Sequence, residues 1–206
     1  MERLKQDSVL TMLASLSFSA MIFDCDGTLV DTEAIHLMAF REAFAQRNLV
    51  MEKTWYLDRV GISATALLEA YESEIAKVPI DKLGVIADHD RIYVQNVSLI
   101  HQVPWVSSIA KTWKGRIPLS VASGGSRRNV RATLKSAGLW DLFDYVITAD
   151  EVEHGKPAPD LFLFAAKRMN VLPVECVVFE NTEEGWGAAR RAGMRGIDVR
   201  KTKSLP

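Results

Sequence analysis

At 206 residues, with 48% hydrophobic content and a formal net charge of −1, the chain can fill one core plus an elaboration and lacks the basic excess of a nucleic-acid binder. Charged residues interrupt every apolar run before the roughly 20 residues of a membrane-crossing helix, so a soluble, cytoplasmic protein is expected, with no membrane and no nucleic acid among its partners. Cys25 and Cys176 adjoin apolar runs and are expected to be reduced core residues.

In chain order, residues 1–16 carry Leu4, Leu10, Leu13 and Leu16 and read as an extra helix or a frayed extension. The apolar stretch 9–20 has the look of a signal-peptide core, but Glu2 and Asp7 dilute the leading charge. Ala20-Met21-Ile22-Phe23 is a short strand that runs into the acidic, glycine-containing segment from Asp24 to Asp31. Residues 33–47 follow as a helix. Ser63 is a good N-cap for a helix bearing Leu67, Leu68, Tyr71 and Ile75, and Asp81 opens another with Leu83, Tyr93, Val97 and Ile100.

The rhythm then changes to strands at 117–122, 145–148, 176–179 and 196–199, separated by helices at 126–137, 160–169 and 183–192, the first and last of them closed by Gly138 and Gly193. Such alternation predicts an α/β fold with a doubly wound parallel sheet. The catalytic core is assigned to residues 17–32 and 104–206, a helical cap to the insertion 33–103, and an N-terminal extension to 1–16.

Parallel sheets bind ligands beyond the carboxyl ends of their strands. That rule selects Asp24, Asp26 and Thr28 after the first strand, Ser123 and Gly124 after the second, Lys156 near the third, and Glu180 and Asn181 after the fourth. Two aspartates one residue apart on an extended chain face the same side. A carboxylate attacks an anionic phosphoryl group only when a cation neutralises the charge, and Mg2+, held by one or two carboxylates with waters, suits that task. Asp24 would be the nucleophile, Asp26 the acid and then the base, Lys156 the balancing charge, and the Ser123 hydroxyl with nearby backbone N–H groups the phosphate holder. Taken singly, each segment reads more readily as a turn or a connector; their order along one sheet edge is what points to chemistry.

These residues resemble the haloacid dehalogenase-like hydrolase superfamily, in its β-phosphoglucomutase and sugar-phosphatase branch. Asp24-Cys25-Asp26-Gly27-Thr28-Leu29-Val30-Asp31 is similar to the first motif, Ser123 to the second, Lys156 in Gly-Lys-Pro-Ala-Pro-Asp to the third and Glu180-Asn181 to the fourth. The resemblance implies a Rossmann-like core with a helical cap. It assigns Asp24, Asp26 (through its carbonyl), Glu180 and Asn181 to a Mg2+ site, and Gly27, Thr28, Gly124 and His36 to phosphate or substrate. Because dehalogenases of the superfamily generally lack the second acid, Asp26 favours phosphate esters. Asn181 stands where the branch often has aspartate, which lowers the charge of the metal shell and leaves a non-catalytic phosphometabolite-binding protein as one alternative. A phosphomutase is the other, although Ala64 stands where the mutases carry a cap arginine, and the stretch Asp88-His89-Asp90-Arg91 offers no lysine. The expected partner is a small phosphorylated metabolite, and the expected state a monomer, with a dimer as the alternative.

Overall fold

A computed structural model describes residues 2–200 and 203–205; the ends of the assigned ranges at 1, 201, 202 and 206 lie outside the described residues. A six-stranded sheet is built from β1 (Ala20–Phe23), β4 (Leu119–Ala122), β5 (Tyr145–Ile147), β6 (Cys176–Glu180), β7 (Arg195–Asp198) and β8 (Lys203–Leu205), in the order β5-β4-β1-β6-β7-β8. All pairings are parallel except that of β7 with β8. Alternate residues serve opposite faces: Met21 and Phe23 join one apolar cluster, Ala20 and Ile22 the other. Both faces are covered, which is why these strands read as unbroken apolar runs instead of alternating ones.

Helices α1 (Glu2–Ala14), α6 (Pro104–Trp113) and α7 (Arg127–Ser136) supply Val9, Leu13, Ile109 and Leu134 to the first face; α8 (Asp160–Met169) and α9 (Glu183–Arg191) supply Phe162, Ala165 and Ala188 to the second. Between β1 and β4 the chain leaves through β2 (Val30–Asp31) and returns through β3 (His101–Gln102), which pair antiparallel. The excursion contains α2 (Glu33–Ala45), α3 (Lys53–Leu57), α4 (Ala64–Tyr71) and α5 (Lys82–Asn96). Ser63 and Asp81 cap α4 and α5 as expected, accepting from the N–H groups of Ala66 and Gly84. Leu83 and Ile75 do not join the core: they are 83% and 50% exposed. Both cysteines are free and buried, and burial pushes the Cys176 thiol up to about 11. Among the described residues no helix is long and apolar enough to cross a membrane.

Candidate active site

The carboxyl ends of β4, β1 and β6 lie side by side, and the residues that follow them meet. β1 ends at Phe23, so the placement of Asp24 and Asp26 comes from the turn beyond it. The N–H groups of Thr28, Leu29 and Val30 all turn onto the carbonyl of Cys25 at 3.0–3.3 Å, while Gly27 N–H reaches Val30 O at 2.7 Å. The turn buries Cys25 and leaves the two aspartates on a common cavity. Gly27 has φ +78° and lies under the Asn181 side chain, so a Cβ there would fall on the amide.

That cavity, of about 530 Å³, is lined by Asp24, Asp26, Gly27, His36, Ser123, Gly124, Lys156, Glu180 and Asn181, together with residues of the helical excursion such as Phe40, Tyr56, Arg59 and His89. Thr28 is the exception among the candidates. It is fully buried, does not line the cavity, and donates its hydroxyl to Asn181 Oδ1 at 3.1 Å. Its place is beneath the Asn181 amide, off the cavity wall.

Lys156 Nζ lies 2.6 Å from Asp24 Oδ1 and 2.8 Å from Glu180 Oε1. The second Glu180 oxygen accepts from Thr182 N–H at 2.5 Å and from its hydroxyl at 3.0 Å, and Gly185 leaves the space this carboxylate occupies. Burial raises Asp24 to about 7; Glu180 and Asp26 add to the rise and Lys156 opposes it. Burial opposes the charge of Lys156 as well, but the two carboxylates beside it more than offset this and raise its pKa. One ammonium thus serves two buried acids, and burial with the acidic neighbours makes Asp24 hold its proton more readily than a free carboxylate. Asp26 is held below the ordinary carboxylate value despite its burial, because His36 and Thr32 face it at 3.4 and 2.8 Å. Ser123 Oγ points at Asp26 Oδ2 from 3.5 Å and accepts from Gly125 N–H at 3.1 Å.

Mg2+ fits this donor set. The Asp24 carboxylate, the Asp26 carbonyl, the Glu180 carboxylate and the Asn181 amide oxygen are all hard donors, and a divalent cation would favour the ionised Asp24 that burial and its acidic neighbours disfavour. Among the described residues no three His, Cys, Asp or Glu side chains form a ready cage, and Mg2+, which keeps several waters, needs none.

No motif or spacing in the sequence marks His89 or Asp90 as part of the site, yet both line the cavity. Here His89 stands behind His36, with its Nε2 3.1 Å from His36 Nδ1. Two histidines far apart in sequence give no local signal of their contact.

A family profile for haloacid dehalogenase-like hydrolases matches residues 18–193. The fructose-1-phosphate phosphatase YqaB of Escherichia coli is 35% identical over 184 residues, covering 89% of this chain and 97% of the relative. The phosphorylated carbohydrates phosphatase of Thermotoga maritima is 30% identical over 183 residues, covering 86% and 83%. Among solved structures, CbbY from Rhodobacter sphaeroides in complex with phosphate superimposes with TM-score 0.81 at 26% identity, covering 88% of this chain and 85% of that one. The β-phosphoglucomutase of Clostridium difficile gives 0.77 at 26% identity, covering 88% and 84%. On the profile match, the two phosphatase relatives and the shared architecture, the chain belongs to the haloacid dehalogenase-like hydrolase family and is a phosphatase enzyme within it.

Proposed function

We propose that the protein is a cytoplasmic, Mg2+-dependent phosphatase of small phosphorylated sugars or related metabolites, acting through an aspartyl-phosphate on Asp24. The observation that carries this reading is the convergence of Asp24, Asp26, Ser123 and Lys156 on one cavity roofed by the helical excursion. Residues 33–103 are read as the substrate-selecting cap, and 17–32 with 104–206 as the core. The names of the two phosphatase relatives support phosphorylated carbohydrates as the substrate class.

Asp24, Asp26 through its carbonyl, Glu180 and Asn181 would hold Mg2+, which supplies charge neutralisation for the phosphoryl group. Asp24 attacks phosphorus; its O–P bond forms as the bond from phosphorus to the ester oxygen breaks. Lys156, at 2.6 Å, orients the attacking carboxylate and offers its charge to the phosphoryl oxygens. Ser123 Oγ and the Gly124 N–H would bind those oxygens. Asp26 protonates the departing oxygen, then as a carboxylate takes a proton from the water that cleaves the aspartyl-phosphate.

A mutase would need a cap cation for a second phosphate. Ala64 begins α4, and Arg91 pairs with Asp88 at 2.9 Å away from the cavity. Arg59 lines the cavity, but Glu74 holds it at 2.6 Å and it lies over the Trp55 ring. Hydrolysis is therefore the reading proposed. A panel of phosphorylated metabolites assayed with and without Mg2+ tests it: phosphate release should require the metal and fall by about 10³-fold or more in Asp24→Asn. Metal-independent release, or full activity in the variant, would overturn it.

A further inference from the structure

Three tyrosines of the helical excursion are buried: Tyr56 at 6% exposure, Tyr71 at 4% and Tyr93 at 0%. Two of them have partners for their hydroxyls. Tyr71 donates to Val50 O at 2.9 Å, and Tyr93 shares a hydrogen bond with the Thr133 hydroxyl at 2.7 Å. The Tyr56 hydroxyl has no partner among the described residues, although a buried phenol ordinarily finds one. Nor is its oxygen enclosed. Among the described residues the enclosed side-chain polar atoms without a partner are Trp113 Nε1, Asn129 Oδ1 and Trp186 Nε1, whereas Tyr56 lines the cavity. Its hydroxyl therefore opens onto that space with both its donor and its acceptor unused.

Ring contacts run from Tyr56 to the catalytic edge. The Tyr56 ring meets that of Phe40, with centroids 6.0 Å apart; Phe40 stacks on His89 at 4.0 Å, and His89 faces His36, which faces Asp26. Burial, with Asp26 and Glu33 adding to it, raises the pKa of Tyr56, so the phenol keeps its proton and serves as donor or acceptor. Phe40, Val60, Ile62, Leu67 and Ile86 give this side of the cavity an apolar surface. Several of the polar groups beside them are engaged within the protein. Ser63 Oγ accepts from Ala66 N–H, Glu74 holds Arg59, and Asp90 accepts from Asn129 and Ser126. Tyr56 thus sets an unengaged hydroxyl in a largely apolar wall.

We infer that the Tyr56 hydroxyl binds a hydroxyl of the leaving group and so selects phosphate esters of polyhydroxy compounds over esters that lack that hydroxyl. This rests on the reading of the protein as a phosphatase of small phosphorylated sugars. With the phosphoryl group at Asp24 and the ester oxygen at Asp26, the rest of the substrate extends into the space that the excursion lines. A substrate hydroxyl that meets Tyr56 exchanges water for the phenol, while the C–H face of the sugar or polyol covers the apolar surface. A leaving group without that hydroxyl displaces the water around the phenol and returns no hydrogen bond, which is the costlier exchange.

Tyr56→Phe removes the oxygen and keeps the ring against Phe40. For the best sugar-phosphate ester of the metabolite panel, kcat/KM should fall about fivefold or more. For an unsubstituted alkyl phosphate of the same carbon number, which needs the same acid assistance, it should change by less than about twofold. Among analogues of the sugar phosphate lacking single hydroxyls, one should be poorer by about fivefold or more with the parent protein, and within about twofold of the full substrate with Tyr56→Phe. Equal losses on the sugar and alkyl esters, or a preference for every hydroxyl that survives unchanged in the variant, would overturn the inference. Melting curves give a readout without substrate. Tyr93→Phe breaks a bond made within the protein and should lower Tm by about 2–4 °C, whereas Tyr56→Phe should stay within about 1 °C of the parent. A drop in Tyr56→Phe as large as that in Tyr93→Phe would show the Tyr56 hydroxyl bonded internally and overturn the inference as well. Mg2+-dependent release from sugar phosphates that is lost in Asp24→Asn upholds the underlying reading whatever Tyr56 does; no such release from any sugar phosphate overturns both.

Discussion

The group of Lys156, Asp24 and Glu180 sets one ammonium between two buried carboxylates and so carries one negative charge in excess when both acids are ionised. Replacing Lys156 by methionine preserves much of the volume and removes the ammonium that both carboxylates face. Two acids then face each other in a buried site, and the folded protein holds a proton that the unfolded chain releases near the ordinary carboxylate pKa. Between those two values the folded state binds more protons than the unfolded one, so stability falls as pH rises. In chelator, Lys156→Met should lose about 3 kcal/mol, with a greater loss at pH 8 than at pH 5, and added Mg2+ should restore part of it. Denaturant unfolding at the two pH values checks this; a loss independent of pH would show that Asp24 and Glu180 do not share the charge.

At the scale of elements, the helical excursion comes against the loop after β6 at Gly61, just before α4. Its φ is +106°, and a Cβ would lie 2.8 Å from Thr182 Cγ2 and 3.3 Å from Glu184 Oε2. Alanine suits neither the dihedral nor the space, and a shift of this loop away from Thr182 relieves the contact. Gly61→Ala should therefore raise KM about fivefold or more while thermal stability changes little, as steady-state kinetics and a melting curve would show; an unchanged KM would mean that the loop does not close the site. The helices and strands themselves were legible because they carry local signals: Ser63 and Asp81 as caps, Gly138 and Gly193 as terminators, and apolar runs at 20–23 and 176–179. The ribbon of β2 and β3 was not, since two-residue strands have no period and are fixed only by pairing Val30 with Gln102 across the whole excursion. Helix α6 was also missed, although Pro104 at its start and Trp105, Val106, Ile109 and Ala110 on one face mark it. In the site, the motifs exposed Asp24, Asp26, Ser123, Lys156 and Glu180. The turning of Thr28 toward Asn181 and of His36 toward His89 depends on packing that no spacing encodes.

Over the whole molecule, the division of labour follows the direction of the strands. Catalytic groups gather past their carboxyl ends, and α1, whose chain enters β1 from its amino end, packs elsewhere. Val9 and Leu13 of α1 are 0% and 2% exposed and belong to the same apolar cluster as Met21 and Phe23, while Gln6 Nε2 donates to Ser108 Oγ on α6 at 3.0 Å. Of the two readings of residues 1–16, the structure favours the helix, with its apolar face serving as part of the core wall. None of its described side chains lines the cavity. Truncating both buried side chains leaves space that rigid neighbours fill only in part, so Val9→Ala combined with Leu13→Ala should cost about 4 kcal/mol and lower Tm by roughly 8–16 °C. Because Asp24 is positioned by its own turn and by its N–H bond to Phe179 O at 2.9 Å, kcat/KM at 25 °C should stay within about twofold of the parent. A melting curve and one kinetic measurement on the double variant decide the matter. A cost under about 1 kcal/mol would mean that α1 only rests on the surface, and a kinetic loss beyond twofold would mean that the wall beneath β1 also tunes the site above it.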